Sequence, residues 1–363
     1  MVATLFVFAA VLLLATATAA DLYGLTRVKC APSVPHAPSG CFQLVTIDAT
    51  TGIITNVGGP SSHNPLAAPG DLRAIIDGVY YVLADNCGAP CNATGSVLLG
   101  VSLKTGAEVC RSNVPSLAQV GLVGGGQSLS HDSKNGRLLL TGLNSTDGGA
   151  TYTHLVLGAS LDKVSSSCGP FDKLGEFGEA QFEPMAHGSE LDVDGQRLFI
   201  TLSTGAHSYG MGVVNVQKGQ TAKLTTTIPM DVRKEFWGPT FVRSSGLIVG
   251  TAMDITGRGI DWRTLDPGTA GGKWTSEPLK YAPGINVTFP GLEGNLGSIR
   301  AFDSAKGVLY TLAGRKDPSD PVLEIVQIDV ATGTLIARSG ALSGDKGISG
   351  SILEQISLSP SAP

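Results

Sequence analysis

Six segments of this chain begin at a glycine, run on as a short strand, and lead into a second, more apolar strand. The glycines are Gly70, Gly126, Gly188, Gly238, Gly297 and Gly350, at intervals of about 50 to 62 residues. The strands expected after them occupy residues 71–75, 127–130, 189–192, 239–242, 298–301 and 351–354. Self-similarity at such a period belongs to propellers and other repeat arrays.

The second strands, counting one near the N-terminus, are expected at 22–27, 79–84, 137–142, 197–202, 247–252 and 308–313. Apolar runs of this length, rich in Val, Ile, Leu and Tyr and bounded by turns, read as buried strands. Third strands follow at 42–47, 97–102, 154–159, 212–216 and 323–328, while 261–265 fits the pattern less well. Three of the third strands end in a shared turn, Thr51-Gly52, Thr105-Gly106 and Thr332-Gly333. Glycine adopts positive φ there without steric cost, and fourth strands are expected at 53–56, 108–111 and 335–338. Four antiparallel strands per repeat make a propeller blade.

The chain enters at a second strand and stops after a glycine-led strand at 352–357. Together these ends complete one blade, which closes the ring and leaves no free edge. The expected fold is therefore all-β, a six-bladed β-propeller with its C-terminal strand paired to the N-terminal blade. A seven-bladed ring is the alternative, and it needs strands that the sequence does not display.

Residues 1–20 are almost wholly apolar, with a core at 5–14 and a small-residue tail ending at Ala20. That fits a secretory signal peptide, with residues 21–363 forming a single propeller domain. The apolar core is too short for the roughly 20 residues of a spanning helix, so no membrane span is expected after cleavage and the protein is placed outside the cell. Three sequons, at Asn92, Asn144 and Asn286, fall in Gly- or Pro-flanked stretches that read as glycosylated surface loops.

Six cysteines suit the same oxidising compartment. Local pairing of Cys30 with Cys41 and of Cys87 with Cys91 is favoured among the fifteen connectivities. Cys110 and Cys168 then remain, each near the end of a repeat, where the outer strands of neighbouring blades meet. Zinc is the competing use, since His36 lies between Cys30 and Cys41, but no segment supplies four ligands at finger-like spacing. A net charge of −5 with no basic run excludes nucleic acid as a partner. Low charge and 48 glycines suit short strands joined by turns. A monomer is expected.

The four-strand repeats with their Thr-Gly turns resemble the broad class of secreted propellers with quinoprotein- or YVTN-like repeats. The resemblance covers nearly all of the chain after residue 20 and is one of architecture. The stretch from His187 to Gly195, continuing to Gly205, also resembles a blade of the propeller glutaminyl cyclases. That family has a Gln-Gly-Leu element where this chain has Gly188-Ser189-Glu190, so its activity is not carried over.

In a propeller the first strand of each blade lines the central channel, so equivalent positions of the six repeats meet at the channel mouth. Those positions hold Asp71, Gln127, His187, Glu190, Asp192, Trp237, Arg300 and Glu354 as candidate ligand-binding residues. Trp237 offers a stacking surface for a sugar or aromatic ligand. His187, Glu190 and Asp192 are the right types for a divalent cation in the channel. Arg73 and Arg300 are the groups that would instead neutralise such carboxylates. His131-Asp132 has the composition of an acid/base pair, although a turn leading into Lys134-Asn135-Gly136 accounts for it better. No Gly-x-Ser-x-Gly elbow, His-Glu-x-x-His helix or Walker loop is present. The expected function is a secreted scaffold binding a protein, glycan or small ligand at the channel mouth. The alternative is a metal-assisted hydrolase or lyase using His187, Glu190 and Asp192.

Overall fold

The computed structural model describes residues 21–28, 41–58, 69–85, 96–114, 128–145, 152–161, 168–180, 189–205, 208–229, 234–254, 260–268, 272–285, 300–315, 322–344 and 353–358. Blade 1 contains β1 (Asp21–Val28), β2 (Cys41–Asp48) and β3 (Ile53–Asn56). Blade 2 is β4 (Pro69–Ile76), β5 (Val79–Asp85), β6 (Ser96–Ser102) and β7 (Glu108–Val114). Blade 3 is β8 (Ser128–Asp132), β9 (Arg137–Ser145), β10 (Tyr152–Ser160) and β11 (Phe171–Ala180). Blade 4 is β12 (Ser189–Asp192), β13 (Arg197–Gly205), β14 (Ser208–Asn215) and β15 (Lys223–Pro229). Blade 5 is β16 (Lys234–Val242), β17 (Leu247–Asp254), β18 (Ile260–Asp266) and β19 (Lys273–Pro278), followed by the two-residue β20 (Lys280–Tyr281). Blade 6 is β21 (Arg300–Asp303), β22 (Val308–Arg315), β23 (Val322–Asp329) and β24 (Thr334–Ala341), followed by β25 (Ser343–Gly344). The last strand, β26 (Leu353–Leu358), returns to blade 1 and pairs antiparallel with β1.

Each sheet orders its strands in sequence from the inside outwards, and blade 1 takes its innermost strand from the C-terminal segment. The innermost strands follow one another around the axis: β26 lies beside β4, β4 beside β8, β8 beside β12, β12 beside β16, and β21 beside β26. The ring therefore has six blades, closed as the two ends of the repeat pattern anticipate. All of the regular structure among the described residues is strand.

The apolar second strands explain the core. Successive side chains along a strand point to opposite faces. Leu138 and Leu140 of β9 accordingly pack against blade 2, while Leu139 between them packs against blade 4. Both faces of the sheet are covered, so the run needs no polar alternation. Leu98 and its neighbours Val97 and Leu99 on β6 divide in the same way between blades 3 and 1. Among the described residues, a buried cluster fills each of the six seams between adjacent blades.

The Thr-Gly turns carry a second signature. Asp48 accepts hydrogen bonds from the Thr50 and Thr51 amides at 2.8 and 3.1 Å. Asp329 accepts from the amide and hydroxyl of Thr332 at 2.9 and 2.7 Å. Gly52, Gly106 and Gly333 have φ of 76°, 69° and 62°, as the turn requires. Gly333 has a further reason to lack a side chain, because a Cβ there would collide with the Trp262 ring of blade 5. The turn of one blade thus docks against the preceding blade. The short outer strands reinforce the same seams, β20 running parallel to β24 and β25 parallel to β3.

Cys110 on β7 and Cys168 just before β11 form a disulfide joining the rims of blades 2 and 3. This is the meeting of outer strands expected of the pair. Cys41 opens β2, and Cys30, Cys87 and Cys91 lie outside the described residues. Asn144 occupies the penultimate position of β9, opposite Thr153, rather than a loop. Asn92 and Asn286 lie outside the described residues. Among the described residues no helix is long and apolar enough to cross a membrane.

Candidate functional site

The channel is bounded by the six innermost strands, and its mouth is the end at which those strands begin. Two of them do not start at the repeat glycine but run through it. The ladder between β16 and β17 shifts register between Trp237 and Thr240, and that between β4 and β5 shifts between Pro69 and Arg73. Gly238 and Gly70 sit within these bulges. A glycine tolerates the irregular backbone of a bulge, and bulges commonly re-aim groups beside functional sites.

In blade 5 the bulge leaves the Pro239 carbonyl outside the ladder, and Arg300 takes it. The Arg300 Nη2 donates to that carbonyl and to Glu190 Oε1, the latter at 2.8 Å. Its Nε donates to Thr240 Oγ1 at 3.1 Å. Arg300 stands on blade 6, Pro239 and Thr240 on blade 5, and Glu190 on blade 4. Blades 4 and 6 are not neighbours, so the ion pair crosses the channel side of β16. The Arg300 side chain is 12% exposed and that of Glu190 28% exposed, which makes the carboxylate the open end of the cluster.

Asp192 has a different task. It lies at the far end of β12, where Oδ1 accepts the Gly195 amide at 2.9 Å. Its Oδ2 accepts Arg197 Nε at 2.9 Å and Nη2 at 2.7 Å. The carboxylate is built into the first hairpin of blade 4, away from the Glu190 cluster. Asp132 is the counterpart in blade 3 and is fully buried, with Oδ2 accepting Arg137 Nε and Asn135 Nδ2, each at 2.8 Å. Gln196 of blade 4 donates to Asp132 Oδ1 at 3.2 Å. Burial pushes this carboxyl up, but the bonds from Asn135, Arg137 and Gln196 together outweigh it and hold the group below the usual range. His131 points to the other face of the same strand, so it and Asp132 do not share a site. The turn into Asn135 accounts for Asp132.

The remaining candidates are placed by backbone alone or not at all. Asp71, Trp237 and Glu354 fall on the innermost strands β4, β16 and β26, as does Arg73 on β4. Gln127 and His187 lie outside the described residues. Of the proposed cation ligands, Glu190 therefore faces a guanidinium, Asp192 is engaged by Arg197, and His187 has no described place. No group of three or more His, Cys, Asp or Glu suited to a metal occurs among the described residues.

Two features escaped sequence reasoning. Thr240 and Pro239 join the cluster only because a bulge re-aims them, and no local pattern marks that. A buried threonine also recurs in the second strands, at Thr26, Thr141, Thr201, Thr251 and Thr311. That signal was present in the sequence at nearly constant register.

His154 on β10 is buried, its ring stacked on Phe177 with centroids 5.9 Å apart. Burial lowers its pKa from 6.5 to about 4. The unfolded chain takes up this proton near pH 6.5 and the folded chain only near 4, so stability is intact above that window and lost as pH falls through it. The full loss is about 3 kcal/mol. His131 is also lowered by burial, against the opposing charges of Asp77 and Asp132, and adds to the same window. The urea midpoint is expected to fall between pH 7 and pH 4.5, and His154→Phe to remove most of that fall.

No family model matches the chain, and no curated protein matches it. Among solved structures it is similar to TolB from Acinetobacter baumannii, at 13% identity and a TM-score of 0.50, over 94% of this chain and 67% of that one. The propeller domain of the Trilobed protease from Pyrococcus furiosus is similar at 10% identity and a TM-score of 0.41, over 76% and 70%. An exo-β-1,3-galactanase from Phanerochaete chrysosporium is similar at 12% identity and a TM-score of 0.45, over 78% of this chain and 65% of the galactanase. The chain thus spans slightly less than two thirds of the galactanase. The likeness is one of fold.

Proposed function

We propose that the protein is a secreted β-propeller glycoprotein that acts as a binding scaffold, taking a protein, glycan or small ligand at the channel mouth. The observation that carries this is the Arg300 cluster, a fixed set of polar groups shared by three blades on the channel side. Its carboxylate is already matched to a guanidinium, an arrangement suited to recognition. A general acid or base needs a proton that it can give or take near working pH, and a metal ligand needs freedom from a competing cation. A divalent ion on Glu190 would stand close to the positive charge of Arg300. Secretion is supported by the apolar leader at 1–20, the three sequons and the disulfide, whose type belongs to oxidising compartments.

The test is a binding screen on protein collected from the medium of eukaryotic cells, run in parallel with Glu190→Gln and Arg300→Met. Glycan, peptide and small-molecule arrays are the probes. The proposal expects a retained probe that is released unchanged and whose binding falls at least tenfold in both variants. Binding that survives both variants, or chemical conversion of the bound probe, contradicts it.

A further inference from the structure

We infer that Asn135 is a deamidation site that the fold keeps closed, and that its conversion unlocks the seam between blades 3 and 4. Asn-Gly occurs once in the sequence, at Asn135-Gly136, in the turn joining β8 to β9. The glycine leaves its own backbone nitrogen uncrowded, so that nitrogen can attack the side-chain amide carbon Cγ of Asn135. The bond from the Gly136 nitrogen to Cγ forms, and the N–H proton passes to solvent. The Cγ–Nδ2 bond breaks as the departing nitrogen takes up a proton and leaves as ammonia. Water then opens the cyclic imide at either carbonyl. The product is aspartate, or isoaspartate with one extra methylene in the main chain.

In the folded protein both hydrogens of the leaving nitrogen are committed. Asn135 Nδ2 donates to Asp132 Oδ2 at 2.8 Å and, across the seam, to Gln196 Oε1 at 2.6 Å. Gln196 is itself pinned, its Nε2 donating to the Val193 carbonyl at 2.7 Å and to Asp132 Oδ1 at 3.2 Å. Attack makes Cγ tetrahedral and carries Nδ2 away, so cyclisation must give up both Asn135 bonds. The backbone of Gln196 shows how firmly its side chain is placed. In blades 2, 3, 5 and 6 the residue before the second strand is a glycine, Gly78, Gly136, Gly246 and Gly307, with φ from 59° to 76°. Blade 4 has the buried Gln196 there, at φ 51°. A non-glycine residue in that region is strained, and such strain persists only where the surroundings fix it. Its bonds into blade 3 supply that fixing.

Conversion reverses the chemistry of the contact. A carboxylate oxygen replaces the donor and faces Asp132 Oδ2 and Gln196 Oε1, both of which are acceptors. Asp132 is 0% exposed, so two carboxylates meet where water does not reach. Isoaspartate also lengthens a hairpin whose register is set, with Asp132 opposite Arg137. An opening of the turn that is transient for asparagine therefore becomes permanent after conversion.

Incubation of the intact protein at pH 8.5, with and without denaturing urea, tests this by mass mapping of the peptide that spans residue 135. Conversion in the folded protein is expected to be at least tenfold slower than in urea. Gln196→Gly suits the positive φ and removes the blade 4 acceptor, and it is expected to raise the folded rate several-fold. Asn135→Asp, the product itself, is expected to lower the urea midpoint further than Asn135→Ala, which loses the same bonds without adding charge. Failure of Asn135→Asp to fold where Asn135→Ala folds counts in favour. Equal rates in folded and unfolded protein, or a Gln196→Gly rate no faster than that of the unchanged chain, overturns the protection. A midpoint for Asn135→Asp no lower than that for Asn135→Ala overturns the unlocking of the seam.

Discussion

Replacing Arg137 with methionine is expected to cost about 3 to 5 kcal/mol of folding stability. The Arg137 side chain is 11% exposed and that of its partner Asp132 is 0% exposed. Loss of the guanidinium strands a carboxylate that has no access to water. Arg137 also donates through Nη2 to the Val216 carbonyl of blade 4, so the same change unties a seam between blades. The cost arises from the unpaired charge, which gives a clear contrast. Arg137→Met combined with Asp132→Asn should recover much of the loss, because no charge is then stranded and the one acceptor oxygen of the amide keeps the Oδ1 bonds from the Gln196 side chain and the Asn135 backbone, at the loss of that from the Asn135 side chain. Urea unfolding of the two variants measures the difference. A loss below about 1 kcal/mol in the single variant would mean that Asp132 is solvated.

Removal of the Cys110–Cys168 bridge is the second large effect. The two residues are 58 apart in sequence, and a loop of that size loses about 4 kcal/mol of chain entropy from the unfolded state on closure. Replacing both by alanine is therefore expected to lower stability by about 2 to 4 kcal/mol, with strain and residual structure setting the lower figure. The bridge also shapes its surroundings. A Cβ on Gly100 would lie 2.6 Å from the Cys110 sulfur, so β6 needs a glycine where it passes under the disulfide. Gly100→Ala should give part of the same loss with the bridge still formed. Denaturation midpoints of oxidised protein for both variants separate loop closure from packing.

The six-blade plan was legible because the strongest signals are those of the most buried elements. Second strands are covered on both faces, so runs such as Leu138-Leu139-Leu140 stand out whatever lies around them. The fourth strands of blades 3, 4 and 5 were not legible. Segments such as Lys223–Pro229 and Lys273–Pro278 lie on the rim, and their side chains are mostly exposed. Water places little constraint on residue type there, and the ladder forms through backbone groups that leave no trace in composition. The repeat glycines were read as strand beginnings, whereas Gly70 and Gly238 lie inside bulged strands.

The site was legible only as a set of positions. Sequence equivalence named Glu190, Asp192 and Arg300 together, since all three stand on innermost strands. It did not separate them, because their roles depend on where each lies along its strand and which blade it faces. Asp192 sits where the hairpin turns and is taken up by Arg197. Glu190 sits two residues nearer the mouth and meets a guanidinium from two blades away. Of the two arginines expected to neutralise the channel carboxylates, Arg300 pairs with Glu190, while Asp192 is taken by Arg197 of its own hairpin.

A double-mutant cycle on Glu190 and Arg300 tests the account most directly. The two residues are 110 apart in sequence, and they touch only if blades 4, 5 and 6 stand in that order around a common channel. Stabilities of Glu190→Gln, Arg300→Met and the double variant give the coupling energy. The account predicts a favourable coupling of about 1 to 3 kcal/mol. Additivity within about 0.5 kcal/mol would contradict it, because independent residues behave in that way and the cluster at the mouth would not exist.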